Sequence, residues 1–214
     1  MCVSAQASFI VGAGTGAIGL ATLRRARSTP RQSLALVPCF FALQQASEGV
    51  VWLHMNGDFH VTPLSRMAQY LYLIFALVFW PAYAPFAVTM AEQMPLRRTI
   101  CKLGLAAGLL VAGYNVFQLV ISTETPRVVG QSIQYGYGEG YFPERLIYGF
   151  VALIPLFISS LRKLWMLGAL AFIGFVTSDY LYYSAFISVW CFLAATICVL
   201  LYFILKDNEK IAVA

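Results

Sequence analysis

Phe41-Ala-Leu-Gln-Gln-Ala-Ser-Glu-Gly-Val-Val-Trp52 lies inside a long apolar run that begins near Ser33. A run of that length reads as a lipid-spanning helix, yet it places Gln44, Gln45 and Glu48 where hydrocarbon belongs. Gln44 and Glu48 are four residues apart and share one helical face. A charged side chain at mid-bilayer costs at least about 2.5–3.5 kcal/mol, so such groups face a protein interior and carry function. The stretch therefore predicts a membrane helix with a polar site on its inner face.

Composition widens that reading to the whole chain. Of 214 residues, 60% are hydrophobic and 11% charged, against roughly 25% charged in a soluble domain. The mean hydropathy is +0.76. The expected class is all-α, a single polytopic bundle over residues 1–214. The net charge of +5 does not point to nucleic acid, because the basic residues cluster between apolar runs. No cleavable signal peptide is expected, since no basic stretch precedes the first apolar run.

Seven segments approach the ~20 residues that cross a bilayer. They run approximately 7–23, 34–54, 64–91, 99–121, 146–161, 164–184 and 185–205. Lipid offers the backbone no partners, so each should be helical. Arg24, Arg25, Arg27 and Arg31 fill the first connection; Arg97, Arg98 and Lys102 mark the third, Arg162 and Lys163 the fifth, and Lys206 and Lys210 the tail. The alternate connections hold few basic residues. The positive-inside rule then puts the N-terminus outside and the C-terminus in the cytoplasm.

Within the first segment, Gly14-Thr15-Gly16-Ala17-Ile18-Gly19 matches the dinucleotide-binding pattern in form only. That motif needs a preceding strand and an acid about 20 residues on; here Gly12 and Gly16 read as a face for close helix packing. Pro81 and Pro85 predict a kink in the third segment. The fourth connection, with Gln131 and the Tyr135–Tyr141 alternation of Tyr and Gly, reads as an interfacial loop or a lid. His54, Asp58 and His60 read as a solvated loop rather than metal ligands. No lysine is placed for a retinal Schiff base, and no P-loop, CxxC, nucleophile elbow or zinc-protease motif is present.

A rise of about 1.5 Å per residue gives each polar residue a depth. Glu48 lies roughly 22 Å along its helix from the cytoplasmic side, and Asp179 comes to about the same height. Cys191 descends about 9 Å from the outer edge into the same layer. Asn115 lies slightly higher, and Cys2 just above the first helix. The predicted site is thus Glu48 as acid/base or ligand, Asp179 as its partner, and Cys2 and Cys191 as sulfur groups. Two such carboxylates need company, from a cation or from Arg66 or Arg145. Gln44, Gln45, Trp52, Asn115, Gln131, Tyr135 and Trp190 would line the pocket. Cys2 has three readings: a disulfide to Cys191, a metal ligand or nucleophile once Met1 is removed, or an inert thiol.

The opening Met1-Cys2-Val3-Ser4-Ala5-Gln6-Ala7-Ser8-Phe9, the Phe41–Trp52 stretch and Ser188-Val-Trp-Cys-Phe-Leu-Ala-Ala195 resemble an uncharacterised family of small bacterial membrane proteins. Its members open Met-Cys-Phe-Ser-Ala-x-Ala-Ser-Phe; Val3 departs from that pattern. Members often carry a histidine near the position of Gln131 or beside Gln44 and Gln45, and its absence counts against a histidine-based metal site. The resemblance brings no activity and implies only that Cys2, Glu48, Trp190 and Cys191 are the places to look.

The expected function is a membrane-embedded enzyme or a redox or metal-binding protein. A transition metal ion held by Cys2, Glu48 and Cys191 is the candidate cofactor. The bilayer is the expected partner, with a small-molecule or lipid substrate arriving from the outer side. A transporter would need polar residues continuing to the cytoplasmic side, where these helices are nearly all apolar. A non-catalytic scaffold or assembly factor is the third reading.

Overall fold

The computed structural model describes residues 4–26, 29–56, 58–121, 125–136 and 142–213. Helices dominate it: α1 (Ala5–Ala26), α2 (Gln32–Leu53), α3 (Pro63–Leu73), α4 (Trp80–Ala91), α5 (Pro95–Ile121), α6 (Phe142–Ile158), α7 (Leu164–Leu181), α8 (Phe186–Ile197) and α9 (Leu200–Val213). A π-helical segment, Ile74–Phe79, joins α3 to α4 without a break. Two antiparallel hairpins complete the described chain, β1–β2 (Met55–Asn56 with Asp58–Phe59) and β3–β4 (Arg127–Val129 with Ser132–Gln134).

Among the described residues, six segments are long and apolar enough to cross a membrane: Ala5–Ala26, Gln32–Leu53, Pro63–Ala91, Pro95–Ile121, Leu164–Leu181 and Tyr183–Asp207. The protein is a multi-pass membrane protein. Helix α6, at 17 residues, occupies the place of the expected span at 146–161. The expected last span, 185–205, is interrupted at Cys198–Val199, where α8 gives way to α9.

Helix α2 sits at the centre, packed against α1, α3, α4, α8 and α9. Helix α1 lies along it through the small-residue face read from the sequence. Gly12 and Gly16 meet Ala42, and a Cβ on Gly19 would stand 2.5 Å from the Cys39 sulfur, so only glycine allows this approach. Thr62 caps α3: its hydroxyl accepts from the Ser65 amide at 3.0 Å, and the Ser65 hydroxyl accepts from the Thr62 amide at 2.8 Å, with Pro63 in the first turn.

The expected kink of the third span has a specific form. Pro81 has no amide to give to the Leu77 carbonyl four residues back, nor to Ala76 five back. The helix widens into the π segment instead, with the Trp80 amide bonded to the Phe75 carbonyl. Side chains from other helices satisfy the two freed carbonyls. Asn115 Nδ2 of α5 donates to Leu77 O at 2.7 Å, and the Tyr148 hydroxyl of α6 donates to Ala76 O.

Candidate functional site

The polar face of α2 is fully buried. Gln44, Gln45 and Glu48 each have 0% exposure. Glu48 Oε1 accepts from the Ser188 hydroxyl of α8 at 2.6 Å, and Oε2 from Gln45 Nε2 at 3.5 Å. Gln44 Oε1 accepts from the Trp80 indole at 2.6 Å, and Trp80 stacks on Phe41 one turn below, with ring centroids 4.0 Å apart. Gln44 Nε2 and Gln45 Oε1 have no hydrogen-bond partner among the described residues.

Cys191 is one helical turn along α8 from Ser188, on the same face. It is a buried, free thiol. Gln44, Glu48 and the Tyr72 hydroxyl surround its sulfur. Tyr72 donates to the Ile187 carbonyl at 3.3 Å. Its ring stacks on Tyr135, which follows the β3–β4 hairpin, with centroids 4.7 Å apart and planes 16° from parallel. The hairpin thus closes one end of the polar layer with a buried aromatic pair.

On its other side Cys191 forms part of the wall of a cleft of about 470 Å³ between the π segment, α5, α6 and α8. That size falls in the range of small-molecule sites, about 300–1,000 Å³. Trp190, Tyr148, Phe186 and Ile187 line it, together with Ala76, Leu77 and Asn115. Glu144, Arg145 and Tyr114 supply polarity at one end. A smaller, apolar cavity of about 100 Å³ lies beyond Tyr148, Trp190 and Cys191 toward Leu34 and Leu201.

The sequence-predicted residues thus separate into groups. Glu48, Gln44, Gln45 and Cys191 meet in one layer, and Asn115 and Trp190 line the adjoining cleft. Asp179 is engaged elsewhere: its Oδ1 accepts from Arg145 Nη1 at 2.9 Å. The Arg145 guanidinium lies 4.0 Å from the centre of the Tyr183 ring and 5.0 Å from that of Phe186. Of the two acids, Glu48 is held by a hydroxyl and an amide, and Asp179 by a guanidinium. Trp52 is half-buried, its indole nitrogen without a partner among the described residues. Gln131 is exposed at the hairpin turn. Cys2, with all three of its readings, lies outside the described residues, as do Tyr137–Tyr141 of the expected lid. Among the described residues no three His, Cys, Asp or Glu side chains gather as a metal site would require.

Tyr72, Trp80, Tyr148 and Ser188 were not read from the sequence. Ser188 had a signal: it stands three residues before Cys191 and shares its helical face. The others are aromatic residues in apolar runs, indistinguishable by pattern from packing residues.

A buried carboxylate of a different kind lies at the other end of the bundle, where the start of α2 meets the end of α4 through Ser33 and Ala87. Glu92, 2% exposed, follows α4. It accepts from the Ser160 amide and hydroxyl, both at 2.6 Å, from the Ser159 hydroxyl at 3.1 Å and from the Met94 amide at 2.8 Å. Burial alone would raise its pKa; these donors outweigh burial and hold the carboxyl below its ordinary 4.5. Glu92 ties the α4–α5 turn to the α6–α7 turn.

No curated protein and no solved structure matches the chain. A family model does, over residues 1–214, and the chain belongs to that family, a family of unknown function (DUF6629).

Proposed function

We propose that the protein is a membrane-embedded enzyme whose chemistry centres on Cys191 and Glu48 and whose substrate enters the cleft from the bilayer. One observation carries this reading: Cys191 forms part of the cleft wall, while the buried Glu48–Ser188 pair stands in the layer behind it. A sulfur atom at the edge of an apolar cleft, backed by an acid–base group, is an economical arrangement for chemistry on a lipid-soluble molecule. Packing alone requires no carboxyl group at this depth.

In this reading α6 is a seventh span, the N-terminus is outside and the C-terminus cytoplasmic, in a bacterial inner membrane. The alternation of basic and non-basic connections supports that orientation. The cleft then belongs to the outer half of the bilayer, because Glu144 and Arg145 follow the outer fourth connection.

The test is the reactivity of Cys191 in nanodiscs toward a bilayer-soluble maleimide, read by intact mass and peptide mapping. Cys191 should be modified ahead of the buried Cys101 and Cys198. Glu48→Gln should slow the modification by removing the proton acceptor. A Cys191 no more reactive than Cys101, or a rate indifferent to Glu48→Gln, would leave the pair as packing and overturn the reading.

A further inference from the structure

The cleft has a polar end whose charge selects what can enter. Its rim on α5 and α6 is exposed and apolar at Leu110 and Ile147, 77% and 56% accessible. Both helices belong to a bundle that sits in lipid, so this opening faces acyl chains. At the polar end the Arg145 charge is already matched by Asp179 and covered by the Tyr183 ring. Glu144 is different. Its carboxylate is exposed at the rim, and its described partner is neutral, the Tyr114 hydroxyl at 3.0 Å. The cleft therefore presents a net negative rim above an apolar, aromatic interior.

We propose that the cleft is a lateral binding site for a bilayer lipid with a primary ammonium headgroup, its chain lying between α5 and α6 and its ammonium at Glu144. Charge complementarity decides the headgroup. An ammonium can pair with Glu144 while the Tyr114 hydroxyl still donates to the other carboxylate oxygen. An anionic headgroup would meet Glu144 in repulsion and would have to displace Asp179 to reach Arg145. The apolar lining decides the chain, which would end against Trp190 and Cys191. The inference deepens the enzyme reading, because it names the class of molecule brought to Cys191, but lipid binding itself requires no reaction there.

The experiment counts retained lipid by native mass spectrometry, on protein released from nanodiscs of phosphatidylethanolamine and phosphatidylglycerol in equal parts. The wild-type protein should retain phosphatidylethanolamine preferentially. Glu144→Gln should lose the preference while keeping bound lipid. Val111→Trp, which fills the cleft from α5, should lose the lipid. Leu110→Trp at the rim serves the same purpose should Val111→Trp fail to elute as a folded species. Equal retention of both lipids by the wild type, a preference unchanged in Glu144→Gln, or lipid unchanged in the filled variants would each mean surface-adsorbed lipid and overturn the proposal. Selective retention beside an inert Cys191 would instead overturn only the enzyme reading. A reactive Cys191 without selective retention would overturn only this one.

Discussion

The Ser188 hydroxyl donates to Glu48 Oε1 at 2.6 Å, across 140 positions of sequence and with both residues fully buried. This bond joins the central helix α2 to α8 at the level of Cys191. Ser188→Ala removes a donor from a buried carboxyl group, which costs about 1–3 kcal/mol. Glu48→Gln keeps an oxygen for Ser188 and should remain folded. Glu48→Ala leaves both Ser188 and Gln45 without that acceptor and should be the least stable of the three. Tryptophan-monitored thermal unfolding in detergent orders them. A Ser188→Ala melting point equal to wild type would show that the bond does not hold α2 to α8.

Pro81 and Asn115 should behave as a coupled pair. Asn115→Leu leaves the Leu77 carbonyl without its donor and should destabilise the protein by about 1–3 kcal/mol. In a Pro81→Ala background residue 81 regains an amide, which can bond Leu77 in the ordinary α register. There Asn115→Leu should cost clearly less. A double-mutant cycle should give a coupling of about 0.5–3 kcal/mol, with the double variant more stable than the two single losses predict. Additive losses would mean that Asn115 stabilises the protein by some route other than the carbonyl freed by Pro81.

The contrast between these two sites explains what could be read in advance. Gln44, Gln45 and Glu48 stood out because polar side chains are costly inside an apolar run, and Cys191 joined them because helical rise converts position into depth. Pro81 announced a kink, but Ile74-Phe-Ala-Leu-Val-Phe79 carries no local mark of a π segment. Its form depends on Asn115 and Tyr148 arriving from helices far along the chain. Asp179 was set beside Glu48 because helical rise gives both the same depth, but height does not specify azimuth, and the structure pairs Asp179 with Arg145, one of the two arginines the sequence offered. Glu92 was not singled out in the sequence, because its donors Ser159 and Ser160 come from a turn far along the chain. The Tyr72–Tyr135 stack joins a helix to a hairpin, a pairing that neither segment's periodicity encodes.

Two glycines of α5 should separate close packing from helix propensity. A Cβ on Gly108 would stand 2.0 Å from the Pro81 carbonyl oxygen, whereas one on Gly113 meets nothing within 4 Å. The Pro81 carbonyl would ordinarily bond the amide four residues on, but that residue is Pro85, so α5 can press against it only through a glycine. Gly108→Ala forces α4 and α5 apart and should cost about 1–3 kcal/mol, as overpacking does. Gly113→Ala should be neutral or stabilising by up to about 1 kcal/mol through helix propensity. Melting points in one detergent decide, and equal effects at both positions would refute the close approach.

Glu92 should make stability depend on acid. Its folded pKa lies below its ordinary 4.5, so the unfolded chain takes up the proton first as pH falls. The stabilisation is fully present above the unfolded pKa and is lost as pH drops through the folded one. Glu92→Gln replaces the acceptor facing Ser159, Ser160 and Met94 with an amide that can accept at one oxygen only. It should therefore lower the melting point at neutral pH. As pH is lowered through the folded pKa, the wild-type carboxyl becomes neutral as well, and the gap between the two proteins should narrow. Melting curves of both proteins across the acidic range provide the check. A gap independent of pH would show that Glu92 acts in the α4–α5 and α6–α7 turns by shape rather than by charge.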